Sequence, residues 1–197
     1  MSLTATTKLE AVNVMLSTIG ENPVNSLTSG LVDAELAETI INSVSKAVQS
    51  EGWNFNTEKK VSYSADSSGH ILLPANILRA DATVEANALD LVQRGLKMYD
   101  KKNHTYEVNQ AVNLDIIIEL EFEMLPEVAR RYITLKASRV FQDRVVGSET
   151  LHKFNQEDEF MAYSQLKDFE ADSEDISILD NYSVYSVVDR IGTQRVT

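Results

Sequence analysis

Residues 114–127 read Leu-Asp-Ile-Ile-Ile-Glu-Leu-Glu-Phe-Glu-Met-Leu-Pro-Glu, and the hydrophobic period changes within them. From Leu114 to Met124 the pattern alternates. Ile116, Ile118, Leu120, Phe122 and Met124 fall on one side, and Glu119, Glu121 and Glu123 on the other. A period of two is that of a half-buried strand, here predicted over 114–124. Pro126 suits the first position of a helix. Beyond it Ala129, Tyr132, Ile133, Ala137, Val140 and Phe141 recur at helical spacing. A strand handing over to a helix within a few residues sets the class as α+β.

The same contrast holds on either side. Thr7-Lys8-Leu9-Glu10 has the spacing of a capping box. Leu9, Val12, Met15, Leu16 and Ile19 then form one helical stripe, which Gly20 and Pro23 end. A second helix is predicted with Asp33 as its cap; Leu36, Ile40, Ile41, Val44 and Val48 supply its stripe, and Gly52 closes it. The two are expected to form an antiparallel pair. Between Trp53 and Met124 the segments are short and turn-rich, with turns expected at 66–69, around Gly95 and at 99–103. Ser148 can cap a last helix running to about Asp172, with Leu151, Phe154, Met161, Ala162 and Phe169 as its stripe. The predicted organisation is a discontinuous helical bundle from residues 1–52 and 125–172. A β-rich, mostly antiparallel insertion spans 53–124, and an apolar tail occupies 173–197.

Val128 and Leu135 lie outside the main stripe of the helix after Pro126, while Lys136 and Arg144 lie inside it. A helix with two apolar sides has two sets of neighbours. They belong either to an oligomer or to an ordinary central helix with snorkelling cations.

The chain has no cysteine, so disulfides and thiolate metal sites are excluded. No run of apolar residues reaches the length of a membrane span, and the N-terminus carries no export signal. The net charge is −12, and residues 149–180 hold ten acidic and two basic side chains. Such a balance disfavours gripping phosphates. It serves either solubility or a surface along which DNA slides without sticking.

Chemistry-bearing constellations are sparse. His70, His104 and His152 have no ligand spacing for zinc, and no nucleotide-binding or nucleophile-elbow motif occurs. Alternate glutamates on a strand stand about 6.5–7 Å apart, compatible with an inverting glycosidase pair. Glu119, Glu121 and Glu123 therefore raise a polysaccharide-degrading alternative, although a solvated edge is the simpler account. Trp53, Phe55, Tyr63 and Tyr106 can stack on sugars or bases, or plug the junction between helices and sheet. Arg130, Arg131, Lys136, Arg139 and Arg144 scatter around their helix, which fits pairing with acidic neighbours or with an adjacent subunit better than DNA readout. No catalytic, cofactor-binding or metal-ligating residue is assigned, and no cofactor is expected.

Three blocks in order carry a family resemblance. The first is Ala11-Val12-Asn13 with Ile19-Gly20-Glu21 and Pro23-Val24. The second is Gly52-Trp53, Phe55-Asn56 and Glu58. The third is Met124-Leu125-Pro126-Glu127 with Lys136-Ala137-Ser138-Arg139, Phe141, Arg144 and Gly147. The chain resembles the tail tubular protein A family of T7-like short-tailed phages from about Leu9 to Gly147. The segment between Lys59 and Leu114 matches loosely and the C-terminus hardly at all. The resemblance implies a structural virion protein of the phage tail, made in the host cytoplasm. Its expected form is a dodecameric adaptor, or gatekeeper, ring between the portal and the nozzle, tail tubular protein B. Such a ring contributes to the DNA conduit and to tail-fibre attachment, and DNA passes through without sequence-specific binding. Another head–tail connector subunit is the further alternative. The family has no catalytic motif to carry over.

Overall fold

Thr7 opens the fold as the sequence predicts. Its hydroxyl accepts from the Glu10 amide at 3.2 Å, and the Glu10 carboxylate accepts from the Thr7 amide at 2.8 Å. Donation to the Glu10 carboxylate by the Thr7 amide, and after it by the Thr7 hydroxyl at 3.0 Å, holds that carboxyl below its usual pKa. The computed structural model describes residues 5–83 and 89–173. The first helix, α1 (Lys8–Ser17), ends in a Schellman closure, with Gly20 at φ +83° and the Glu21 amide donating to the Leu16 carbonyl. The second, α2 (Val32–Gln49), is entered from Leu31 with no side-chain cap. Asp33 instead sits in the first turn beside Glu35, where carboxylates complement the helix dipole.

The sheet has five strands: β1 (Thr57–Tyr63), β2 (Ile77–Ala82), β3 (Leu91–Arg94), β4 (Lys97–Asp100) and β5 (Val112–Ile118). Their order is β1-β5-β2-β3-β4 and every pairing is antiparallel. The central strand, β2, carries Arg79 and Asp81 among its few apolar residues and has no clean alternation to announce it. The predicted strand over 114–124 is cut back to 112–118. Its apolar run is buried on both sides: Leu114 and Ile116 join the sheet core, while Ile117 packs toward Gly52. Past Ile118 the backbone leaves the ladder because other partners take its hydrogen bonds. The Glu119 amide donates to the Asn76 carbonyl at 2.7 Å, and Leu120 is captured by Gln49. Residues Phe122–Met124 form a 3₁₀ turn that turns Phe122 and Leu125 into the helical core and leaves Met124 70% exposed.

Two helices complete the chain, α3 (Glu127–Val145) and α4 (Glu149–Ser173). Pro126 stands one place before the first helical residue. The two apolar sides of α3 are both filled within the chain. Helices α1, α2 and α4 all pack on it, and Val128 and Leu135 join the same core as Ile133, Ala137 and Phe141. Lys136 lies over the Tyr132 ring, its ammonium 3.1 Å from the phenol oxygen. This helix is thus the centre of the bundle, and its breadth is explained without a second subunit. In α4 the stripe predicted from the sequence holds at Ala162 and Phe169 and is displaced elsewhere. Ala162 and Leu166 are buried, whereas Leu151, Phe154 and Met161 are 40%, 62% and 62% exposed. The displacement follows from side chains that Tyr132 and Arg139 of α3 hold beside that line: Tyr163, at 5.2 Å between ring centroids, and Glu159. The apolar tail predicted after Ser173 lies outside the described residues.

Gly52 links the layers at φ +82°, and a Cβ placed there would stand 2.6 Å from Ile117 Cδ1. Gly20 has a similar φ of +83° with nothing within 4 Å. Gly52→Ala should therefore destabilise the fold by about 2–3 kcal/mol in urea titrations, and Gly20→Ala by about 1 kcal/mol, the backbone term alone. Equal losses would contradict the close approach of Ile117.

Candidate interaction surfaces

The Trp53 cluster belongs to the interior. Trp53 is buried, its indole N–H donates to the Val48 carbonyl at 2.8 Å, and Phe55 stacks near-parallel at a centroid distance of 6.3 Å. The Lys167 ammonium lies 4.4 Å from the Trp53 ring centroid, so a cation from α4 covers the indole. These aromatics plug the junction between bundle and sheet; they are not a stacking platform for sugars or bases. Tyr63 and Tyr106 sit apart from them, Tyr63 against the sheet core and Tyr106 against Tyr99 and His70.

Two buried amides hold the same junction. Gln49, fully buried, donates through Nε2 to the Leu120 carbonyl and to Ser45 Oγ, both at 3.0 Å. Its Oε1 accepts from the Leu120 amide at 2.7 Å. Asn56 donates to the carbonyls of Gln49 at 2.9 Å and Ile118 at 3.0 Å, while its oxygen accepts from the Trp53 amide at 2.9 Å. Helix α2, the Gly52–Asn56 turn and the exit of β5 are thereby joined through two side chains. Gln49→Leu should cost about 2–4 kcal/mol, because it leaves a shielded amide and carbonyl of Leu120 without partners. Equilibrium denaturation reads this directly, and a loss below about 1 kcal/mol would count against the clamp.

The cations of α3 are distributed one by one. Arg130, itself buried, donates to the backbone carbonyls of Leu125, Thr6 and Glu123, tying down the segment before α1 and the turn before α3. Arg139 pairs with Glu159 at 2.5 Å and with Asp143 at 3.5 Å, and these contacts, Glu159 foremost, raise its pKa further. Asp143 also meets His152 Nδ1 at 2.9 Å. That contact, nine residues apart across the α3–α4 turn, has no signature at helical spacing. Arg131 and Arg144 are exposed.

The glutamate row does not form. Glu119 pairs with Lys46 at 3.2 Å, Glu123 accepts from the Lys8 amide, and Glu121 is exposed. The carboxylates that do face each other are Asp81 and Asp115, direct partners on β2 and β5. They share an open groove of about 440 Å³ with Lys60, Arg79, Thr57 and Thr83. Asp115 accepts from the Lys60 amide at 2.8 Å, where β1 is irregular and Lys60 adopts φ +58°. Two anions between two cations make a compensated, solvated cluster. Among the described residues, no three histidines or carboxylates are placed to hold a metal ion.

Among the exposed apolar groups, which include Val32 and Met124 on the bundle, two faces contrast in charge. Helix α4 presents Phe154 and Met161, with Phe160 toward another side, on an element bearing seven acidic and two basic side chains. The β3–β4 hairpin is the opposite. Residues 89–106 carry four cations against two carboxylates, and Leu72 and Leu96 are 49% and 51% exposed beside them. Arg94 lies 3.6 Å over the Tyr99 ring, and Lys97 pairs with Leu72 through a backbone bridge. The hairpin end is held in shape by Asp100. Burial alone would raise its pKa, but hydrogen bonds from the Asn103 side chain and from the amides of Lys102, Asn103 and Asp90 outweigh it and lower it. Asp66 is likewise lowered, chiefly by the His70 amide against some burial and with help from the Ser68 amide. Lowered carboxylates stabilise the fold above their unfolded pKa of about 3.9, and the contribution disappears as pH falls through the folded value. Asp100→Asn should thus flatten the loss of stability below about pH 4 relative to the parent, as read from urea midpoints. An unchanged acid slope would refute the role assigned to this carboxylate.

The family model described as Tube, tail tubular protein, matches residues 9–176. The chain belongs to the tail tubular protein family. A relative from Klebsiella phage KP34, tail tubular protein A, is 28% identical over 155 residues, covering 77% of this chain and 81% of the relative. The tail tubular protein fold is therefore α+β here, and the chain is a structural component of a phage tail that assembles with other virion proteins. Among the described residues no helix is long and apolar enough to cross a membrane.

Proposed function

We propose that the chain is the subunit of an adaptor ring seated between the portal and the tail nozzle, through which DNA leaves the capsid. The observation that carries this reading is the family match over residues 9–176, together with a relative named tail tubular protein A. The physical features agree with it. A net charge of −12 lets a passage repel the polyanion it conducts. The junction between bundle and sheet, with Trp53, Gln49 and Asn56 all engaged, suits a rigid building block. On this reading the bundle of 1–52 and 125–172 and the β-rich 53–124 meet different neighbours, with the sheet toward nozzle and tail fibres. The role is structural and not catalytic, and the subunit is made in the host cytoplasm before joining the virion.

Electron microscopy of the purified protein mixed with its portal tests the proposal. The expected image is a closed ring of many copies around a central channel. A strictly monomeric protein with no affinity for portal or nozzle would overturn it.

A further inference from the structure

A closed ring with one kind of subunit uses heterologous contacts, in which one patch of a copy meets a different patch of the next. Resting on the adaptor-ring reading, the question becomes which two patches of this chain complement each other. The second apolar side of α3 is excluded, because α4 and the other helices fill it. The Asp81–Asp115 groove is balanced in charge and open, so it has no net sign with which to select a partner face.

Two faces answer the description. On α4, Phe154, Glu157, Asp158, Met161 and Asp168 fall within an arc of about 100° at the helical step. Lys153 and Lys167 lie outside that arc. Lys153 is taken by Glu149, and Lys167 lies over Trp53. The charged side chains within this arc are all carboxylates. On the hairpin, Arg94 and Lys97 are register partners across β3 and β4 and so share one face. Leu72 extends that face through its bridge to Lys97, and Leu96 stands at the tip. Asp66 accepts from two backbone amides, and two cations outweigh it. The result is an apolar pair flanked by cations on a chain that is otherwise strongly acidic.

We propose that the Leu72–Arg94–Lys97 face of one copy seats on the Phe154–Asp158–Met161 face of α4 in the next copy. Each face is sticky toward the other and repels its own kind, so the contact is directional. The Asp100 and Asp66 loops pre-form the hairpin face, which reduces the ordering cost of seating.

Charge reversal tests the pairing. Arg94→Glu with Lys97→Glu makes both faces of a copy acidic; Glu157→Lys with Asp158→Lys makes both basic. By sedimentation velocity, each variant alone should assemble at least about tenfold more weakly than the parent. An equal mixture should recover assembly, since each variant offers what the other lacks. Thermal melts matching the parent establish that both variants fold. Should either fail to fold, the neutral pairs Arg94→Gln with Lys97→Gln and Glu157→Gln with Asp158→Gln replace them, and weaker assembly of each is the expected result. Variants that assemble like the parent, or a mixture of folded variants that stays dissociated, overturn this seating and leave the ring intact. A parent that is monomeric at every concentration and beside its portal overturns the ring reading itself.

Discussion

Gln49 is the side chain on which the architecture turns. Its amide gives Leu120 the donor and acceptor that a neighbouring strand would have supplied, and it does so from the last turn of α2. The strand can therefore stop at Ile118 without orphaned backbone groups, which in a shielded place would each cost about 1–3 kcal/mol. Once it stops, the chain is free to turn through Phe122–Met124 and enter α3. Asn56 repeats the device one step earlier, binding the Gln49 and Ile118 carbonyls together. Trp53 fills the space between, with its indole N–H satisfied by Val48. The Gly-Trp-x-Phe-Asn block is thus a mechanical coupling with no chemical work to do.

That coupling has consequences for the surface. Because α3 is enclosed by α1, α2 and α4, and because Trp53 and its neighbours are sealed, the interior offers nothing for a partner to recognise. The exposed apolar groups lie at the surface, among them those of the long fourth helix and the far hairpin of the sheet. The irregular, lysine-bearing β1 edge discourages sheet-to-sheet addition.

Much of the helical part was legible in the residues. The Thr7–Glu10 box, the Gly20 stop and the start of α4 after Ser148 all rest on local hydrogen bonding that sequence spacing encodes. The sheet was less legible, because its central strand β2 owes its place to long-range pairing with β5 and β3 and carries charged residues outward. The alternation from Ile116 to Met124 pointed to a longer strand than exists. Gln49, seventy-one positions from Leu120, overrules that pattern, and no local signal reveals such a partner. The same limit hid the Asp143–His152 contact and the displaced burial line of α4, which Tyr132 and Arg139 set from another helix. Of the blocks that carry the family resemblance, Gly52-Trp53 with Phe55-Asn56 lies at the junction, where Trp53 and Asn56 are buried.

If Gln49 and Asn56 truly weld helices to sheet, the two layers should open only together. Native-state hydrogen exchange of the Leu120 amide measures this without altering the chain. Its opening free energy should equal that of buried α3 amides such as Ile133, both reporting global unfolding. An opening free energy for Leu120 several kcal/mol lower, with α3 still protected, would show the layers parting independently and would contradict the account.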